Sequence, residues 1–255
     1  MRIFLLRVGL LVTILLAWQL ASGPVIPTFF ISKPSAIFTV LAQWVKDGSL
    51  FFHAAITATE AFAGFLLGAF AGIAVGLVLG RAKIVADVVH PFINAFYSLP
   101  KLALAPLFIL WFGIGMDMKI VLVATIVFFL VFLNTYTGVR NVSPEQITIM
   151  RLMGAREHHL LTKVVIPSAI AWVFAGLRIS VPYSLVGAVV GELVAANRGL
   201  GYLLAHSAGQ FDTAGVFAAL VSVVVLAGIL NACVCYLAAR AMPWRSNEGD
   251  REAFV

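Results

Sequence analysis

Six long apolar runs dominate this chain, and they leave it few ways to fold. They lie near residues 3–20, 55–80, 88–112, 119–139, 171–194 and 214–239, and each suits the roughly 20 helical residues that cross a bilayer core. Within hydrocarbon every backbone donor and acceptor must be paired inside the protein, so runs of this length fold as helices. Only 11% of the 255 residues are charged, against about a quarter in soluble domains. The predicted fold class is all-α, a polytopic membrane protein with six transmembrane helices. No linker divides it, so residues 1–255 read as one domain.

Orientation follows from Lys and Arg, which are retained on the cytoplasmic side of a membrane. With the N-terminus inside, Arg2, Arg7, Arg81, Lys83, Arg140, Arg151, Arg156, Lys163, Arg178, Arg240, Arg245 and Arg251 fall in the cytoplasm or at its border. Lys33, Lys46, Lys119 and Arg198 fall outside, and Lys101 falls within a helix, so the balance is twelve to four. Both termini and a loop at about 140–170 are therefore expected in the cytoplasm. The net charge of +6 reflects this bias; dispersed basic residues give no nucleic-acid footprint. The first run also fits a signal peptide, with Arg2, Arg7 and the small residues Ala21-Ser22-Gly23, and its removal would leave five spans. Cys233 and Cys235 stand two apart on a helix, on different faces, and make neither a disulfide nor a metal pair.

Between the runs, Ile31–Ser35 reads as a helix start, and the short amphipathic stretch 36–45 reads as an interfacial helix with Trp44 at headgroup level. The second run carries Gly64, Gly68, Gly72, Gly76 and Gly80. Glycines four apart make a ridge without side chains, which lets a neighbouring helix approach to backbone contact. The third run contains Pro91, Pro100 and Pro106, each lacking a backbone donor and displacing the preceding turn. Carbonyls freed in this way are tolerated only in protein or beside a water-filled cavity, which places this helix near any pathway. Beyond the fifth run, Asn197–Tyr202 reads as a tight turn followed by a short helix to Gln210.

The polar loop at 140–170 is the other informative segment. Ser143-Pro144-Glu145 is a helix start, with Ser as cap and Pro in the first turn. That helix runs through Ile149, Leu152 and Met153 to Gly154, and a second segment, 156–166, is expected to stop at Pro167. Gly154, followed at fixed spacing by Val164, Ile166 and Pro167, resembles the cytoplasmic loop of membrane permeases of binding-protein-dependent ABC importers. Their pattern is Glu-Ala-Ala, three residues, Gly, nine residues, Ile-x-Leu-Pro; here Thr148, Ile149 and Met150 stand in place of Glu-Ala-Ala. Further landmarks extend the likeness over roughly 30–240, notably Lys33-Pro34-Ser35-Ala36, Ser98–Ala103, Pro106–Gly115, Ala175-Gly176-Leu177-Arg178, Glu192 and Gly199-Leu200-Gly201-Tyr202. In these the chain is most similar to the nitrate, sulfonate and taurine permeases.

That resemblance implies a type I ABC importer permease fold in the bacterial inner membrane. It implies half of a translocation pathway, a second permease copy as a homodimer, two ATPase subunits that bind ATP and Mg, and an extracytoplasmic solute-binding protein. The chain itself has no G-x-x-x-x-G-K-[ST] loop with which to cradle nucleotide, and no cofactor is expected in it. The residues that would couple to the ATPase are Glu145, Thr148, Ile149, Met150, Met153, Gly154, Ala155 and Pro167. The solute would be a small anion such as nitrate, a sulfonate or an organic carboxylate, with a neutral vitamin precursor as the alternative.

Ionisable residues inside spans are functional candidates because burying a charge there is costly unless it is partnered. Lys101 follows Pro100 on the broken run beside Tyr97, and it would either draw an anion into the cavity or pair with Glu60 or Glu192. Those two carboxylates are themselves either structural or pathway residues. Phe92, Phe96 and Tyr97 fall on the same helix and either line a path or pack, packing being the commoner role of aromatic stripes in membrane helices. Arg178 reads as a cytoplasmic-border residue that can snorkel. His158 and His159 are adjacent, lack the spacing of a helical metal pair, and are assigned no chemistry. Two other classes compete. A membrane-embedded enzyme lacks support, since no G-x-S-x-G or H-E-x-x-H occurs, and an ion-coupled carrier would show paired broken helices where one is visible.

Overall fold

The structure is a computed structural model that describes residues 2–241; the basic residues Arg245 and Arg251 lie outside the described residues. The elements are α1 (Arg2–Ala21), α2 (Thr28–Ile31), α3 (Pro34–Lys46), α4 (Ser49–Arg81), α5 (Lys83–Ser98), a 3-10 turn (Lys101–Leu104) and α6 (Ala105–Phe112). There follow α7 (Met116–Arg140), α8 (Pro144–Leu152), α9 (Glu157–Leu160), a π turn (Leu161–Val165), α10 (Ile166–Ala195), α11 (Leu200–Gly209) and α12 (Thr213–Ala241).

Among the described residues, length and composition give four spans, or five with one bent pair, so the expected six are not confirmed. Four helical runs are long and apolar enough to cross a membrane: Ser49–Arg81, Met116–Arg140, Glu157–Ala195 and Thr213–Ala241. A fifth would be the pair Pro91–Ser98 and Lys101–Phe112, bent by 79°. The first helix, Arg2–Ala21, is apolar over Leu5–Ala21, at the lower limit of the roughly 17–25 residues that cross a bilayer core. Of the three prolines in the bent pair, only Pro100 breaks the chain. Pro91 lies inside α5, and Pro106 occupies the first turn of α6, where a missing donor goes unnoticed.

The chain divides into two compact units. One comprises Thr59–Gly191 with the chain from Ala227, and α7 is its axis. The glycine ridge of α4 lies directly on α7. A Cβ at Gly64 would come 2.5 Å from Val123, at Gly68 2.5 Å from the Ala124 carbonyl, at Gly72 2.8 Å from the Phe128 carbonyl, at Gly76 2.7 Å from Thr135 and at Gly80 2.6 Å from Val139. Contacts that ascend together along both helices mean that α4 and α7 run in the same direction. On another face of α7, Gly176 meets Val131 and Asn134, Gly187 meets Val123 and Ile126, and Gly191 meets Lys119. These numbers descend as α10 advances, so α10 is antiparallel to α7.

The other unit comprises residues up to Ala58 together with Glu192–Leu226. Leu200, Leu203 and Ala219 form its buried cluster, with Trp44, Leu50 and Tyr202 packed against them. Trp44, expected at headgroup level, is half-buried against this cluster, because α3 lays its apolar face on α11. Trp18 packs edge-on against Phe217 with ring centroids 5.3 Å apart and donates to the Ile31 carbonyl at 3.2 Å.

Candidate functional site

The 140–170 segment forms a knob with a small core of its own. Val139, Val142, Val164, Val165 and Ala169 are buried together, with Ile147, Met150 and Leu161 against them. The cap of α8 is as the sequence specifies, Ser143 Oγ accepting from the Gln146 amide at 3.4 Å. Its hydroxyl also bonds Glu145, holding that carboxyl below its usual pKa. The end of α8 is a Schellman turn: the Gly154 amide donates to Arg151 and the Ala155 amide to Met150, each at 3.0 Å. Gly154 has φ +77°, and nothing lies within 4 Å of where its Cβ would be. The expected small-residue joint between two packed helices is therefore open, and the glycine is present for its backbone conformation.

Held in this way, α8 presents an apolar face to solvent. Leu152 is 83% and Met153 77% exposed, with Ile149 beside them, while Glu145, Thr148 and Gly154 are also exposed and Met150 and Ala155 are half-buried. Leu152 is the most exposed of these and was absent from the residues singled out by the loop pattern. Glu157 ties the knob together, receiving Arg151 at 2.9 Å and also Arg81 from the end of α4. His159 accepts from the Arg156 amide at 3.3 Å, through Nδ1, at the start of α9.

The second segment of the loop does not stop at Pro167. Helix continues through it, so that Glu157–Ala195 is one run of 39 residues. The reason is the π turn immediately before the proline. A proline ring collides with the carbonyl four residues back, here that of Lys163, and the widened turn moves that carbonyl aside.

At the broken span, Lys101 opens the 3-10 turn. Its ammonium donates to the Tyr97 carbonyl and lies 4.4 Å from the Tyr97 ring centroid and 4.9 Å from that of Phe129. Among the described residues Lys101 enters no ion pair. Glu60, offered above as its partner, pairs instead with Lys119 at 2.5 Å, and the two side chains are 1% and 6% exposed. Lys119 was expected in an outer loop; it is buried in α7, its stem against Gly191. A lysine just inside the polar start Met116-Asp117 was the only local signal for this.

Glu192 is held differently. It is 1% exposed, and its carboxylate accepts from Thr57 Oγ1 at 2.7 Å and from the Gly201 amide at 2.6 Å. Thr57 Oγ1 accepts from the Leu200 amide at 2.8 Å, and His53 Nδ1 from the Gly199 amide at 2.9 Å. Glu192 thus lies at the positive end of α11, where free amides and the helix dipole favour an anion. A side chain at Gly199 would run into that carboxylate.

Comparison with known proteins places this architecture. The family described as "Binding-protein-dependent transport system inner membrane component" matches residues 64–242. The chain is 31% identical over 235 residues to a putative aliphatic sulfonates transport permease, SsuC, of Bacillus subtilis, covering 92% of this chain and 85% of that protein. It is 32% identical over 237 residues to the formylaminopyrimidine transport permease ThiX of Halalkalibacterium halodurans, covering 92% and 94%. The taurine transport system permease TauC of Escherichia coli is 30% identical over 246 residues, covering 94% and 89%. In fold, the chain matches the MetNI methionine ABC transporter in an inward facing conformation with a TM-score of 0.65 at 20% identity, covering 77% of this chain and 96% of the other. Members of such a family are multi-pass inner-membrane proteins that work with an ATPase and a binding protein. On these matches the chain belongs to the inner-membrane permease subunits of binding-protein-dependent ABC importers, a family of transport components and not of enzymes.

Proposed function

We propose that two copies of this chain form the pathway of an importer for a small anionic solute, with α8 as the handle by which two ATPase subunits move it. The observation that carries this reading is the exposed apolar face of Ile149, Leu152 and Met153 on a rigid, capped helix. An amphipathic helix of this kind fits a groove on a partner. ATP and Mg would be bound by the ATPase, and closure of the two ATPases would shift the helices between inward- and outward-open states.

The anionic class is supported by Lys101, a cation at the broken span held, among the described residues, by a carbonyl and two aromatic faces, and by the sulfonate and taurine relatives. The formylaminopyrimidine relative, as similar as these, favours a neutral heterocycle as the second reading. The deciding experiment uses Leu152→Asp with Met153→Asp in the full transporter, measuring ATPase co-purification and ATP-driven uptake. Loss of both with normal membrane insertion is expected. Retained uptake would remove α8 from the mechanism.

A further inference from the structure

Arg178 lies in a position that the sequence did not suggest. Gly176 of α10 is level with Val131 and Asn134 of α7, and Gly187 is level with Val123 and Ile126. Arg178 therefore falls near the level of residue 130, roughly 15 Å of helix rise from Arg140 at one end of α7 and about as far from Lys119 near the other. This is mid-span, deeper than an arginine stem reaches toward the headgroups. The side chain is exposed and, among the described residues, enters no ion pair.

Three observations bear on what covers that face. First, α7 meets α10 through Gly176, Gly187 and Gly191, whereas Arg178, two residues from Gly176, points to the opposite side of the helix. Secondly, Pro182 lies within α10 and removes the donor that the Arg178 carbonyl would otherwise receive. A guanidinium and a freed carbonyl thus share one turn at mid-depth, where hydrocarbon could satisfy neither. Thirdly, Lys101 reaches the Phe129 ring and so has nearly the same depth. Glu60 and Lys119 pair with each other, whereas among the described residues neither Lys101 nor Arg178 enters an ion pair.

We infer that Arg178 lines the water-filled translocation path and, with Lys101, forms a mid-membrane zone that selects for anions. This deepens the proposed function by adding a residue to its pathway, and the test separates a wet path from anion selection. The probes are two membrane-impermeant methanethiosulfonates, the anionic sulfonatoethyl and the cationic trimethylammonioethyl reagents. They are applied to the assembled transporter carrying Cys233→Ala, Cys235→Ala and Arg178→Cys. The control is Phe70→Cys: Phe70 is 78% exposed and lies between Gly68 and Gly72, level with Val127–Val131, which matches it in depth.

Position 178 should react roughly tenfold faster than position 70, because hydrocarbon excludes charged reagents. With each reagent's rate divided by its rate with a free thiol in solution, the anionic reagent should be favoured there, and Lys101→Gln should remove most of that preference while leaving the cysteine reactive. A rate at position 178 no higher than at position 70 would overturn the inference, whatever the transport assay shows. Equal rates for the two reagents after that division would also overturn it, showing a wet path without anion selection. Should Arg178→Cys fail to assemble, Ala175→Cys on the same exposed turn gives the same readings.

Discussion

The contact of α4 with α7 and the α8 knob both depend on glycine, for opposite reasons. Along α4, five glycines are required because another helix occupies the space where side chains would be. At Gly154 that space is empty, and only the left-handed backbone requires the residue. Packing therefore specifies the contact of α4 with α7, and local hydrogen bonding specifies α8. One region should fail when volume or charge changes, the other only when a turn or cap changes.

The largest expected effect is at the buried pair of the core. Lys119→Ala removes the ammonium paired with the buried Glu60 carboxylate, and breaking a buried pair in this way costs about 3–5 kcal/mol. It should lower the melting temperature in detergent steeply, and Glu60→Gln combined with Lys119→Met should recover most of the loss. A stable Lys119→Ala protein would mean that the pair is incidental to the core. Next in size, Gly72→Leu forces a branched side chain against the Phe128 carbonyl, and overpacking of this kind costs about 1–3 kcal/mol. Gly228→Leu is the matched control, since nothing lies within 4 Å of its Cβ position. Equal melting temperatures for these two variants would place the ridge away from any helix.

Smaller effects belong to the knob. Gly154→Ala introduces no clash, so its expected cost is that of one left-handed residue, about 1 kcal/mol. Gly154→Asn should recover part of it, which a packing role would not allow; the two variants are compared by hydrogen exchange at α8. The smallest loss is Ser143→Ala, about 0.5 kcal/mol for a long, exposed cap bond. The Ser143 bond to Glu145 adds a pH dependence. Because that carboxyl is depressed below its ordinary value, its contribution is full above the unfolded pKa and fades as pH falls through the folded one. Protection of α8 should accordingly drop in acid for the wild type and change less for Ser143→Ala.

Much of this was legible in the sequence because it is local. The glycine ridge, the break at Pro100 and the Ser143 cap each depend on residues a few positions apart, and all three are where the spacing put them. Pairing across distance was not legible. Glu60 and Lys119 are 59 positions apart, and nothing near either residue distinguishes that partnership from one with Lys101. Pro167 misled for another reason: a proline usually ends a helix, but a π turn upstream leaves no trace in residue type. The depth of Arg178 likewise emerged only from the register of α10 on α7.

That uninterrupted passage through Pro167 has a mechanical side. A helix of 39 residues from Glu157 to Ala195 is a shaft of roughly 58 Å, with no slack joint between the knob and its far end. For a rigid rod of that length, a tilt of about 5° displaces one end relative to the other by roughly 5 Å. The widened turn at Leu161–Val165 is what keeps that rod continuous past the proline.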